Sequence, residues 1–316
     1  MPLGAAHTAD MAGWWNQQPR ATGGTITTYT SGANTYQVHT FTSNGTFNII
    51  SGADFSIDYL IVGAGGSGGG YNVGTGVGGG GGGGQVIAGN TIVVQNQSYS
   101  ITLGAGGYRG TDGGNTQAFS QTAVGGGAGG TFNASTNHGT NGNSGASGGG
   151  GSGTNNFTPA TTGGSATAGG YAGGGSPAGD PSTPGTCGAG GGGWSSIGID
   201  AILSSSGGAV PGNAGPGGSG YASTISGTTV YYAAGGGGAG GFDSTPTGGS
   251  TPGAAQGGSG VGGNGSWWTT GPSYTNATSG VRGSGGGGTS PVATNMVEPG
   301  SGGNGTVVIR FQIAPV

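Results

Sequence analysis

Gly63-Ala-Gly-Gly-Ser-Gly68 follows an apolar run and spells G-x-G-x-x-G, the spacing with which a strand-to-helix turn cradles a dinucleotide pyrophosphate. That cradle needs a helix to begin at the turn. Here the chain continues as Tyr71-Asn-Val-Gly-Thr-Gly-Val77 and then seven glycines, Gly78–Gly84, which cannot supply one. Gly65-Gly-Ser-Gly-Gly69 and Gly145-Ala-Ser-Gly-Gly149 match the G-x-S-x-G nucleophile elbow, which also needs a following helix and a triad histidine. The histidines are His7, His39 and His138 only, and a chain with 91 glycines in 316 residues produces both matches by chance. Gly106-Gly-Tyr-Arg-Gly-Thr-Asp112 has some of the composition of a calcium-binding nonapeptide, but it is not repeated in tandem. Asp54 and Asp58 lie four apart and share a face if extended, so a paired-acid site is conceivable there; a solvated strand face is the simpler reading. The expectation is a protein that is not an enzyme, with no catalytic residues, metal or cofactor.

The charges narrow the partners. There is no lysine, only Arg20, Arg109, Arg282 and Arg310 against eight acids, for a net charge of −4. Phosphate neutralisation is therefore not available, and nucleic acid is not an expected ligand. Cys187 is the single cysteine, so an internal disulfide framework is excluded. Met1–Asp10 has neither a basic n-region nor an apolar h-region, and no stretch of 18 apolar residues occurs, so neither export by signal peptide nor membrane insertion is expected. Sequons such as Asn133-Ala-Ser135 and Asn276-Ala-Thr278 carry little weight without a secretory route.

What must position any functional residue is the glycine-rich chain itself. Glycine gives up about 0.5–1 kcal/mol more than alanine on ordering into a regular element and brings no side chain to bury. Order must then come from backbone hydrogen bonds. Extended polyglycine-II helices, with three residues per turn and no internal bonds, can pack closely and satisfy each N–H and C=O laterally. Each bond contributes about 0.5–1.5 kcal/mol net, so many helices are needed; the dozen or so glycine clusters could supply them. Collagen is rejected, because only 14 residues are proline and runs such as Gly235–Gly238 break a Gly-X-Y period. Disorder is disfavoured by 8% aromatics and a charged fraction of only 4%.

Glycine is sparse at the two ends of this region. Thr25–Thr28, Tyr36–Thr42, Thr46–Ile50 and Phe55–Val62 are rich in β-branched and aromatic residues, and Asn44-Gly45 predicts a two-residue hairpin. A further hairpin is predicted from Gln85–Val94 and Tyr99–Leu103, and Thr306–Phe311 predicts a closing strand that pairs with Asp58–Val62. No segment has helical periodicity. The predicted fold class is mainly β and irregular, with essentially no α-helix: an extended segment 1–24, a small antiparallel β unit 25–62, a polyglycine-II bundle 63–305 carrying a hairpin at about 85–103, and a closing strand and tail 306–316.

His39–Phe47, Asp58–Gly70, Gly78–Gly84, Ile101–Gly107, Gly235–Gly241 and Val307–Phe311, in that order, resemble the glycine-rich domain of bacteriophage tail-fibre and virion proteins. The resemblance covers about residues 22–312 and is similar to the tip adhesins of T-even-type long tail fibres. It implies a polyglycine-II sandwich whose loops contact a host receptor, an outer-membrane protein or a glycan. It also implies a virion location, with synthesis in host cytoplasm, and is compatible with a homo-oligomer. Residues 1–24 do not match the attachment domain of those adhesins.

Spacers between glycine helices must turn at the bundle ends, and they carry Tyr108, Phe157, Tyr171, Trp194, Phe242, Trp267, Trp268 and Tyr274. Exposed aromatics give large rigid contact area, so these are the receptor-contact candidates; the alternative is that they cover small apolar spots. Trp14-Trp15, beside Arg20, is expected to be a docking peptide that orders on other virion proteins. A purely structural fibre, capsid-decoration or filament protein, or a bacterial surface glycine-rich adhesin, remains an alternative function.

Overall fold

The computed structural model describes residues 18–51, 53–72, 77–133, 138–153, 159–178, 187–202, 213–240, 255–268, 274–289 and 298–315. Five strands precede the first glycine run: β1 (Arg20–Thr22), β2 (Thr25–Ser31), β3 (Asn34–Phe41), β4 (Gly45–Ser51) and β5 (Phe55–Val62). After it come β6 (Tyr71–Asn72), β7 (Val86–Val93), β8 (Ser98–Ile101), β9 (Thr116–Ala118), β10 (Gln121–Ala123), β11 (Phe132–Asn133) and β12 (His138–Gly139). Then follow β13 (Tyr221–Ser223), β14 (Val230–Tyr232), β15 (Trp267–Trp268), β16 (Tyr274–Thr275) and the closing β17 (Thr306–Pro315). The described residues contain no α-helix, only a 3₁₀ turn at Gly258–Gly260.

A five-stranded sheet in the order β2-β3-β17-β5-β7 is antiparallel throughout. As expected, β17 pairs with β5, Thr306 opposite Val62 and Arg310 opposite Asp58. A three-stranded sheet β1-β4-β8 faces it, and between them lie Phe41, Phe47, Ile49, Ile57, Ile61, Ile101, Ile309 and Phe311. The alternation of side chains along each strand sends the other set, Val38, Leu60, Val62, Val86 and Val308, to the opposite face. There the hairpin β13-β14 covers them with Ile225 and Tyr232.

Three sequence expectations are corrected. Asn44-Gly45 does not close a hairpin, because β3 and β4 belong to different sheets; the Asn44 side chain instead accepts from the Leu103 amide at 2.7 Å. The two-residue turn is Gly32-Ala33, between β2 and β3, with Gly32 at φ 60°. Likewise β7 and β8 are not partners: β7 pairs with β5 and β8 with β4, since each buries its apolar side in the same core from opposite sheets. The β unit begins before residue 25, because Arg20–Thr22, within the segment 1–24, pairs with β4 and buries Ala21 in the core.

Between β5 and β17 the glycine runs bond sideways. In the run 77–85, the amides of Gly79 and Gly82 donate to Gly130 and Gly127, those of Gly78, Gly81 and Gly84 to Thr289, Gly286 and Gly283, and those of Gly80 and Gly83 to Ala189 and Gly192. Its carbonyls accept from Gly66 and Gly69, from Ser147, Gly150 and Gly153, and from Gly236 and Ala239. The pattern advances three residues at a time and gives this run six neighbouring segments. A Cβ on Gly81 would lie 2.2 Å from the Gly66 carbonyl oxygen, and one on Gly80 2.0 Å from that of Gly236, so the spacing admits hydrogen only.

Candidate recognition surface

The hydrogen-bond register defines two poles. Level with Gln85 and Gly84 are Gly63, Val124 and Gly283, next to the sheets; level with Val77, Gly78 and Gly79 are Gly69, Gly130, Gly153, Ala239 and Thr289, at the opposite end. The sequence placed all the spacer aromatics at bundle ends without distinguishing the two. The structure separates them.

Trp194 and Tyr171 belong to the sheet pole. The Trp194 amide donates to Ala233 at 2.9 Å, and its half-buried indole packs with Tyr29, Tyr221 and Val230 against the Val38–Leu60–Val308 cluster. Trp194 therefore covers part of the apolar sheet face. The Tyr171 amide donates to Gly193 and its carbonyl accepts from Gly148, leaving the ring 45% exposed.

Toward the far pole, Tyr108 is 52% exposed at a turn where Arg109 has φ 47° and Gly110 φ 79°. Three contacts fix this turn: the Tyr108 amide donates to Thr111 Oγ1 at 2.8 Å, the Gly110 amide to Ser67 Oγ at 2.7 Å, and the Arg109 guanidinium lies 5.1 Å from the Tyr108 ring centroid. Arg109 also pairs through two nitrogens with Glu298, Nε to Oε2 at 2.6 Å. Hydrogen bonding to Arg109 holds the Glu298 carboxyl below its ordinary range and raises the guanidinium. At the far pole itself the Ser266 amide donates to Gly288, and the chain beyond it forms the short antiparallel ladder β15-β16, Trp267 opposite Thr275 and Trp268 opposite Tyr274. Phe157, Phe242, Trp14 and Trp15 lie outside the described residues. Arg20, expected in the docking segment, is an exposed strand residue opposite Ser51.

The motif-like residues serve the bundle. Ser67 of the apparent elbow holds the Tyr108 turn. Asp112 Oδ1 accepts from the Ala128 amide at 2.8 Å and from Asn143 Nδ2 at 2.9 Å, pinning two runs together. Asp54 and Asp58 do not act as a pair: Asp54 accepts from the Gln95 amide and Asp58 binds Arg310. His39 is buried between Phe47 and Phe311. Cys187 is buried beside Ala189 and Ala201. Among the described residues no group of three or more His, Cys, Asp or Glu is placed to hold a metal ion, and no helix is long and apolar enough to cross a membrane.

The glycine-rich domain family matches residues 40–312, from β3 to β17. The chain belongs to that family. The match takes in both bracketing strands and every glycine run between them. No curated protein matches this chain.

Proposed function

We propose that the glycine runs are packed polyglycine-II helices and that the protein is a non-enzymatic phage virion component, a tail-fibre or fibre-tip adhesin. The observation that carries this reading is the polarity of the bundle. Its sheet pole carries core packing, Trp194 included, whereas the β15-β16 ladder continues from the far pole, and the Tyr108 turn, bonded to Ser67, stands exposed on the flank part-way toward that pole. A lattice bonded on all sides at three-residue intervals holds such turns in fixed relation, as a recognition surface requires. In this reading the far-pole spacers contact a host-surface protein or glycan, and the N-terminal segment with Trp14 and Trp15 docks on another virion protein.

The second reading, a decoration or filament protein without its own receptor, draws support from Ile197, Ile199 and Ile202. These are exposed on one segment at the flank of the bundle and suit lateral packing. Adsorption competition separates the two. Purified protein should block phage attachment to host cells if it binds the receptor, and normal attachment at saturating protein rejects the adhesin reading.

A further inference from the structure

Among the described residues strand β2 has β3 as its single neighbour, so it forms an edge of the five-stranded sheet. All its residues are exposed except the half-buried Tyr29. Folded proteins usually guard such an edge with lysine, proline, an inward charge or a bulge. Thr25-Ile-Thr-Thr-Tyr-Thr-Ser31 has none of these, and its seven pairs with β3 run without a register shift. Ser31 and Asn34 close the two-residue turn, and antiparallel alternation from that pair directs the N–H and C=O groups of Ile26, Thr28 and Thr30 away from β3.

We infer that β2 is a self-association edge: two copies of this chain pair antiparallel through β2 about a two-fold axis at Thr28, joining their sheets. A second copy is the occupant that the strand's own chemistry selects. Pairing about Thr28 sets Ile26 opposite Thr30 and Thr27 opposite Tyr29, so β-branched and aromatic side chains meet and no charge meets a like charge. The strand offers a charged partner no counter-charge, and Ile26, 42% exposed in the single chain, gains cover. About six backbone hydrogen bonds form, each between groups that point away from β3 in one chain. Contact through one strand edge falls below the roughly 1,200 Å² of a stable interface, so the dimer is reversible. This inference does not depend on the receptor reading, because β2 lies in the β unit and not among the far-pole turns.

Sedimentation equilibrium of the full chain tests it. The mass should rise with concentration from 29.2 kDa toward twice that value. Thr28→Lys, which sets two ammonium groups against each other at the axis, should remain monomeric at concentrations where the wild type dimerises, with its melting temperature in dilute solution unchanged. Thr28→Cys should form a reducible dimer on oxidation, because Cα atoms of a hydrogen-bonded pair stand about 5.5 Å apart, within disulfide range. A wild type that stays monomeric up to millimolar concentration would overturn the proposal. So would an undiminished Thr28→Lys dimer, or a dimer that appears only after residues 1–17 are removed, which would assign the edge to the protein's own N-terminal segment.

Discussion

Arg310 and Asp58 stand opposite each other across β17 and β5, with Nη2 2.5 Å and Nε 3.1 Å from the same Oδ2. Arg310 Nη1 also donates to the Tyr29 hydroxyl at 2.9 Å, and its guanidinium lies 5.2 Å from the Tyr36 ring centroid. Four strands, β2, β3, β5 and β17, meet at this one cation. Burial works against its charge, but the hydrogen bonds to Asp58 and Tyr29 outweigh it and raise its pKa. Because the chain enters the glycine region from β5 and leaves it through β17, the contact ties both ends of that region together.

Arg310→Met should therefore lower stability by about 1–2 kcal/mol, more than an ordinary surface ion pair and less than a fully buried one. Chemical denaturation at low and high salt checks this. The difference from wild type should shrink as salt rises, and a salt-independent loss would point to packing alone.

Gly81→Ala should lose about 3 kcal/mol or more, since its Cβ meets the Gly66 and Ser67 carbonyl oxygens at 2.2 and 2.5 Å. Gly70→Ala is the comparison: its Cβ meets only Pro299 Cγ at 3.8 Å, and removing a glycine from the unfolded chain should stabilise by up to about 1 kcal/mol. Thermal melts of the two variants should move in opposite directions.

His39 Nδ1 donates to the Gly23 carbonyl at 2.7 Å, taking the tautomer that bond requires, and Nε2 has no hydrogen-bond partner. Burial holds its pKa below the ordinary 6.5, against the opposing effect of the Gly23 bond. Between those values the unfolded chain binds a proton that the folded chain refuses. The contribution of His39 is then fully present above pH 6.5 and declines as pH falls through that value toward the folded pKa. Melting temperatures from pH 8 to 5 should show the decline in wild type and a flatter profile in His39→Leu.

Much of this was legible in the sequence. Glycine's lack of a side chain pointed to lateral backbone bonding, and the β-branched runs at both ends pointed to β5 and β17 as partners. The Asn44-Gly45 hairpin misled because a local turn signal cannot report that β3 and β4 bury their apolar sides in one core from opposite sheets. Nor could the sequence sort Trp194 from Tyr108. Both sit in polar spacers after glycines, and only their tertiary partners separate them: Ala233 and the sheet-face cluster for Trp194, Gly65 and Ser67 for the Tyr108 turn.

That sorting gives a paired expectation. Trp194→Ala should destabilise the protein by about 1–3 kcal/mol, because its indole covers the Val38–Leu60 face. Tyr108→Ala, at an exposed ring, should leave the melt within about 0.5 kcal/mol of wild type. Under the adhesin reading, Tyr108→Ala should also weaken competition for phage adsorption. If both variants melt alike, the division of the spacers into two poles is wrong.

Hydrogen exchange of the amides of Gly78–Gly84 tests the central claim, that lateral backbone bonds hold the glycine region in place of a side-chain core. All seven amides donate to other segments, so each should exchange only through global opening, as slowly as the amides of β5 and β17. Exchange of these glycines at the rate of an unfolded chain, while β5 and β17 stay protected, would contradict the account.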